Sequence, residues 1–181
     1  MKRRVGALLC LAFAAAAMAA EPPPGPPGMS PIFLRAGAGA RYEDETTPYG
    51  GFAVGFTPSP YIAFGLGLDF ERVNTDYPDA SLKSSYSFAL NGWGFLPAGR
   101  WRPGLHGQAG ELSYTYKTFA SGQYLDVSET RFFVAAAPGF SYKLSRHIGA
   151  GGEGGVRYHP PKGNRDARAL YSGGAFVEFY F

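Results

Sequence analysis

Tyr61-Ile62-Ala63-Phe64-Gly65-Leu66-Gly67-Leu68-Asp69-Phe70-Glu71-Arg72 sorts its residues into two stripes. Ile62, Phe64, Leu66, Leu68 and Phe70 form one, all of them large and apolar. Tyr61, Ala63, Gly65, Gly67, Asp69 and Glu71 form the other. A helix with 3.6 residues per turn would mix the two sets; a strand, with period two, keeps them apart. The stretch predicts a strand with one wholly apolar face and one face of small and acidic residues. Pro58-Ser59-Pro60 before it reads as a tight turn. Val73 to Lys83 after it, with Asn74, Asp76, Pro78 and Asp79, reads as a polar loop.

The same alternation recurs on both sides. Ile32 to Arg41 sets Ile32, Leu34, Ala36, Ala38 and Ala40 against Phe33, Arg35, Gly37, Gly39 and Arg41. Tyr49 to Thr57 sets Phe52, Val54 and Phe56 against Gly51, Ala53 and Gly55. Further strands are predicted over Ser84 to Phe95, Trp101 to Thr118, Val127 to Tyr142, Ile148 to Tyr158 and Arg168 to Phe181. In Trp101 to Thr118, the half with Leu112, Tyr114 and Tyr116 opposes Glu111, Ser113, Thr115 and Lys117. The half around Pro103-Gly104-Leu105 fits neither register, and a bulge there would reconcile them.

Eight strands result. Their connections alternate between longer polar ones (Tyr42 to Pro48, Val73 to Lys83, Phe119 to Asp126, His159 to Ala167) and short ones (Pro58 to Pro60, Leu96 to Arg100, Lys143 to His147). Long loops at one end and short turns at the other characterise transmembrane barrels with periplasmic termini. Strands of about ten residues cross the hydrocarbon layer when tilted. The predicted fold class is all-β: an eight-stranded antiparallel up-and-down transmembrane barrel.

The face opposite the aliphatic one decides what lies inside. It is mostly Gly, Ala and Ser, with ionisable residues of both signs: Arg35, Arg41, Asp69, Glu71, Glu111, Lys117, Glu129, Arg131, Glu153, Arg157 and Glu178. Five are basic and six acidic, so they can pair across a lumen. An eight-stranded barrel has a bore just wide enough for side chains, which favours small residues. A soluble barrel or sandwich is the competing reading; it would bury these charges in a dry core at high cost. Glu153, Arg157 and Glu178 are expected to share a face on adjacent strands, with Arg35 brought near by closure. The network is read as a plug, with a narrow ion or solute path as the alternative.

The chain resembles the small eight-stranded outer-membrane barrels of the OmpA/OmpX type, over about Pro31 to Phe181. The specific match is the last strand, Ala175-Phe176-Val177-Glu178-Phe179-Tyr180-Phe181. In that family a terminal Phe, preceded by alternating aromatic or aliphatic residues, is read by the barrel-assembly machinery. Phe181, Phe179, Val177 and Tyr171 follow the pattern, while Gly173 interrupts it. The resemblance implies a monomer in the cell outer membrane, surrounded by membrane lipid and lipopolysaccharide. The peptidoglycan-binding domain that follows the barrel in full-length OmpA has no counterpart here, so wall tethering is not expected.

The first residues read as an address. Lys2, Arg3 and Arg4 precede the apolar run Val5 to Ala17, and Ala17-Met18-Ala19 fits a signal-peptidase site after Ala19, with Ala20 as the alternative. Domain limits follow: 1–19 signal peptide, 20–30 a Pro-rich tether of polyproline II type, 31–181 barrel. A retained anchor and a lipidated Cys10 are alternatives; the run is short for a bilayer span. Cys10 is the sole cysteine and falls within the signal, so neither disulfides nor cysteine metal sites are expected. The whole chain has 17 Lys and Arg against 14 Asp and Glu; without Lys2, Arg3 and Arg4 it has 14 of each. No single-sign field remains to attract nucleic acid. Gly 26, Phe 15 and Tyr 12 suit glycine-punctuated strands better than a helical bundle.

Little else suggests chemistry. The histidines are His106, His147 and His159. A serine hydrolase needs a base within reach of its hydroxyl, and His106 and Ser113 fall on opposite faces unless the bulge intervenes. The chain also lacks the His-x-Ser-Asn motif of lipid A deacylases. Lipid A modification remains the enzymatic alternative to a structural or surface-interaction role. No metal-ligand spacing appears. Gly151-Gly152-Glu153-Gly154-Gly155 lacks the Lys and following helix of a P-loop and reads as crowded strand. No cofactor is expected. The loops carrying Glu43-Asp44-Glu45 and Lys162, Arg165, Arg168 would become neighbours on closure, as a solvated acidic–basic pair.

Overall fold

The computed structural model describes residues 32–42, 46–71, 81–120, 123–162 and 166–181. The signal and tether read over residues 1–30, the acidic tip Glu43 to Glu45, and Arg165 lie outside the described residues. The strands are β1 (Ile32–Tyr42), β2 (Thr46–Ser59), β3 (Ile62–Glu71), β4 (Ser81–Phe95), β5 (Trp101–Ala120), β6 (Gln123–Lys143), β7 (Ile148–His159) and β8 (Arg168–Tyr180). Each pairs antiparallel with its neighbours, and β1 pairs with β8, which closes the barrel. All eight predicted strands are present and the architecture is the one their connections implied.

The period-two patterns turn as expected around most of the wall. Phe52, Val54 and Phe56 on β2, Phe64 and Leu66 on β3, and Phe88 and Leu90 on β4 are exposed on the outer surface. Arg35, Ala53, Ala63, Ser87, Asn91 and Arg157 are buried within. Inter-strand ladders run round the whole wall among the described residues, the arrangement that lets a sheet cross hydrocarbon. The β4–β5 turn closes on paired bonds between Ala98 and Trp101, with Gly99 at φ 64°, a left-handed conformation that suits glycine.

Two corrections concern β5. Its register against β6 runs from Trp101↔Tyr142 to Ala120↔Gln123 without a shift, so the bulge expected near Pro103 is absent. Arg102, His106, Leu112, Tyr114 and Tyr116 are all buried on one continuous inner face. Glu111 and Lys117, expected in the lumen, are exposed on the outer face. The physical reason is that β5 and β6, at 20 and 21 residues, are longer than the bilayer needs. About ten residues per strand suffice to cross it. Beyond the bilayer the outside is water, so the preference inverts: Ser113, Thr115 and Lys117 face out while Leu112, Tyr114 and Tyr116 pack inward with Ala89 and Phe133. The predicted loop Phe119 to Asp126 is accordingly mostly strand.

Candidate functional site: the charged lumen

The inward residues form successive levels. Near the short turns, Phe33, Ala53, Ala63, Trp93 and Tyr180 make an apolar floor. Arg102 donates from Nη1 to the Tyr180 hydroxyl (2.5 Å), which donates to Glu178 Oε2 (2.7 Å). The Arg102 guanidinium also lies 3.9 Å from the centre of the Phe95 ring.

At mid-depth, Arg35 donates from Nη2 to Glu153 Oε2 at 2.7 Å. The same oxygen lies 3.1 Å from His106 Nδ1, while His106 Nε2 lies 2.8 Å from Asn91 Oδ1. Gln108 donates to that Asn91 oxygen at 2.8 Å. The His106 ring stacks on Trp93 at 4.8 Å between centroids. Arg35 in turn lies over the Phe176 ring at 3.4 Å.

Towards the long loops, Arg41 and Arg157 share Asp69 and Glu71. Arg157 reaches Glu71 Oε1 at 2.6 Å and Asp69 Oδ2 at 3.3 Å. Arg41 bonds Glu71 Oε2 and reaches Asp69 Oδ2 at 3.1 Å. Both guanidinium groups also cover aromatic rings, Arg157 over Phe133 at 3.9 Å and Arg41 over Tyr49 at 4.2 Å. Above this level, Tyr114 and Tyr116 donate to the two oxygens of Glu129 at 2.7 and 2.9 Å. Arg131 lies near the Tyr114 ring. Two cavities of about 50 Å³ each adjoin the middle levels. Each is large enough for a few waters.

Of the eleven charged residues read from the sequence, nine face the lumen; Glu111 and Lys117 do not. The expected grouping of Glu153, Arg157, Glu178 and Arg35 is divided. Within it Arg35 bonds Glu153, and Arg35 and Glu178 are paired in register across β1 and β8, but Arg157 bonds Glu71, outside the group. Barrel stagger places partners from distant strands at one height, which adjacency along the chain does not reveal. Arg102, His106 and Tyr180 were missing from the predicted network. Their signal was present: Arg102, His106 and Gln108 share the even-numbered phase of Leu112, Tyr114 and Tyr116.

His159, expected in a loop, ends β7 with its ring buried beside Phe133. His106 sits mid-lumen and Ser113 faces outward, so these two do not form a nucleophile–base pair. Among the described residues no three or more His, Cys, Asp or Glu side chains gather as metal ligands.

A closed eight-stranded barrel, apolar outside and ionic within, defines an integral outer-membrane β-barrel protein. Its short-turn end, where β1 begins and β8 ends, is the periplasmic end. The chain belongs to the outer membrane protein beta-barrel domain family, whose model matches residues 5–166. Among solved structures it is similar to Neisserial surface protein A, at 14% identity and TM-score 0.63, over 85% of this chain and 99% of that one. It is similar also to the N-terminal barrel domain of Pseudomonas aeruginosa OprF, at 14% identity and TM-score 0.55, over 85% and 100%. P. aeruginosa outer membrane protein H matches at 14% and 0.53, over 84% and 100%. These likenesses establish the fold. Comparison with curated proteins gave no match.

Proposed function

We propose that this non-catalytic barrel is a structural and surface-presenting component of the outer membrane whose lumen is kept closed by its ion pairs. The observation that carries the reading is the Arg41–Arg157–Asp69–Glu71 cluster. Four charged side chains from β1, β3 and β7 meet in the bore, two cations against two anions, each guanidinium also covering a ring. Separating them to admit an ion would expose buried charge on both sides, which is costly. The aromatic packing of Tyr114, Tyr116 and Phe133 lies over the cluster and supports closure.

The long-loop end is the presenting face. The β5–β6 hairpin projects about ten residues past the bilayer, roughly 25 Å at a tilt of about 40°. Near its tip, Phe119 and Tyr124 meet edge to face at 5.2 Å, with Lys117 beside Tyr124. Lipopolysaccharide would surround this end. Phe179 and Phe181, exposed at the end of β8, are the residues we assign to recognition by the barrel-assembly machinery.

A small channel is the competing reading, and the two 50 Å³ cavities favour it. Planar-bilayer recording decides between them. The wild-type barrel is expected to give no single-channel steps, and Glu71→Ser with Arg157→Ser to give small ones. Steady steps from the wild type would overturn closure.

A further inference from the structure

The short-turn end of the barrel is cationic. Its connections, Thr57 to Tyr61, Leu96 to Arg100 and Leu144 to His147, hold Arg100 and Arg146 and no Asp or Glu. Lys143, at the end of β6, adds a third cation at the mouth of the bore, 5.8 Å from the Tyr180 ring centre. Among the described residues none of the three forms an ion pair. Glu178, the acid on the lower level, is sealed in the bore at 2% exposure and takes its bond from Tyr180. Lys143 N donates to Arg100 O at 2.8 Å, so the turns carrying Arg100 and Arg146 lie side by side.

An aromatic cluster adjoins these cations on the lipid-facing wall. Trp101 and Tyr142 are paired in register across β5 and β6, with ring centres 4.8 Å apart. Phe140 lies 5.8 Å from Trp101, and Trp101 and Phe140 are 52% and 50% exposed. Trp and Tyr settle at the headgroup level of a membrane. Arg100 directly precedes Trp101 and Lys143 directly follows Tyr142, so the cations stand one step beyond the rings, at the depth of the phosphates. The turns do not use the arginine side chains. One closes on backbone bonds between Ala98 and Trp101, the other on bonds to Ile148 O and Ser145 Oγ. Both guanidinium groups are thus exposed and left for an anion outside the protein, and a charged membrane surface attracts Lys and Arg over about a Debye length.

We propose that Arg100 and Arg146, with the Trp101, Tyr142 and Phe140 rings, form a binding site for an anionic phospholipid of the periplasmic leaflet. The guanidinium groups take the headgroup phosphate, Lys143 adds to the positive field, and an acyl chain lies along the rings. Charge selects the anion; the exposed rings beside it select a lipid over a soluble acid. The site lies on the outer wall, so it goes beyond the closed-lumen reading and holds whether or not the barrel conducts.

Trp93 and Trp101 are the chain's two tryptophans, and Trp93 lies in the bore, so Trp93→Phe leaves one reporter, within the cluster. The barrel is reconstituted in phosphatidylcholine vesicles holding a minor fraction of brominated lipid, either phosphatidylglycerol or phosphatidylcholine. Brominated phosphatidylglycerol is expected to quench Trp101 at a several-fold lower mole fraction. Arg100→Gln with Arg146→Gln should erase that difference, because each cation near an anionic surface is worth roughly fivefold in affinity. Lys117→Gln with Lys162→Gln removes the same charge at the long-loop end and should leave the difference intact. Native mass spectrometry of the wild type, released from vesicles with equal amounts of the two lipids, should show phosphatidylglycerol retained in preference, a readout that needs no variant. Equal quenching by both lipids, or an equal loss in the two charge-matched double variants, would overturn the site. Displacement of the retained lipid by added polyglutamate would also overturn it, giving the patch to a soluble acidic partner.

Discussion

Arg157 on β7 and Glu71 on β3 lie 86 residues apart in sequence, yet meet at 2.6 Å with side chains only 2% and 4% exposed. Such a contact is informative because its two halves are unequal in energy. A buried pair as a unit is worth little more than apolar side chains of the same volume. Removing one member strands the other. Glu71→Leu alone should therefore destabilise the barrel by about 3–5 kcal/mol. Glu71→Leu combined with Arg157→Leu should cost clearly less than the sum of the single changes. Urea unfolding of the four proteins of the cycle, in lipid vesicles, measures the coupling. Additive losses would show that the two side chains do not depend on one another.

The mid-lumen is crowded enough to make glycine obligatory at chosen points. A Cβ built on Gly151 would meet Phe140 O, with Phe176 Cζ at 2.6 Å and Ser141 Cα at 2.8 Å. On Gly107 the nearest atom would be Gly92 O, at 3.9 Å. Gly151→Ala should thus cost on the order of 1–3 kcal/mol by overpacking, and Gly107→Ala close to nothing. Heat-modifiable gel migration followed against temperature separates them. Equal midpoints would mean that the wall at Gly151 yields more than this packing allows.

The sequence was easiest to read where two solvents act on one strand. Tyr61 to Arg72 has lipid on one side and a narrow bore on the other, so size and polarity both alternate. Leu112 to Tyr116 alternates just as cleanly, yet the inference of its direction failed. Period two states that two faces differ, but not which one faces in. That depends on whether the outside is hydrocarbon or water, and β5 passes from one to the other near Glu111. The partners within the lumen were illegible for another reason. Which charges share a height depends on barrel stagger, so Arg35 could be grouped with Glu153, but Arg157 could not be assigned to Glu71 across the bore.

The inversion along β5 makes the last prediction a matter of alternate residues. Thr115 and Ser128 bond at 2.9 Å on the outer face of the hairpin, and Ser113 and Thr130 meet at 3.3 Å. Tyr116, between Thr115 and Lys117, is 2% exposed and donates to Glu129. Cysteine at 115 or 117 should react with a membrane-impermeant maleimide on intact cells. Cysteine at 116 should be protected until the barrel is unfolded. Cysteine at Leu105, on the same outer face but within the lipid, should resist the reagent too. Glu111→Leu adds a thermodynamic check, because Glu111 sits between the outward Phe88 and Phe132 in the ladder. If Glu111 touches lipid at the edge of the hydrocarbon, the substitution should leave stability unchanged or raise it by up to about 1 kcal/mol. A Glu111 paired within the lumen would instead lose several times that much, and reactive cysteine at 116 with protected cysteine at 117 would reverse the register assigned to the whole hairpin.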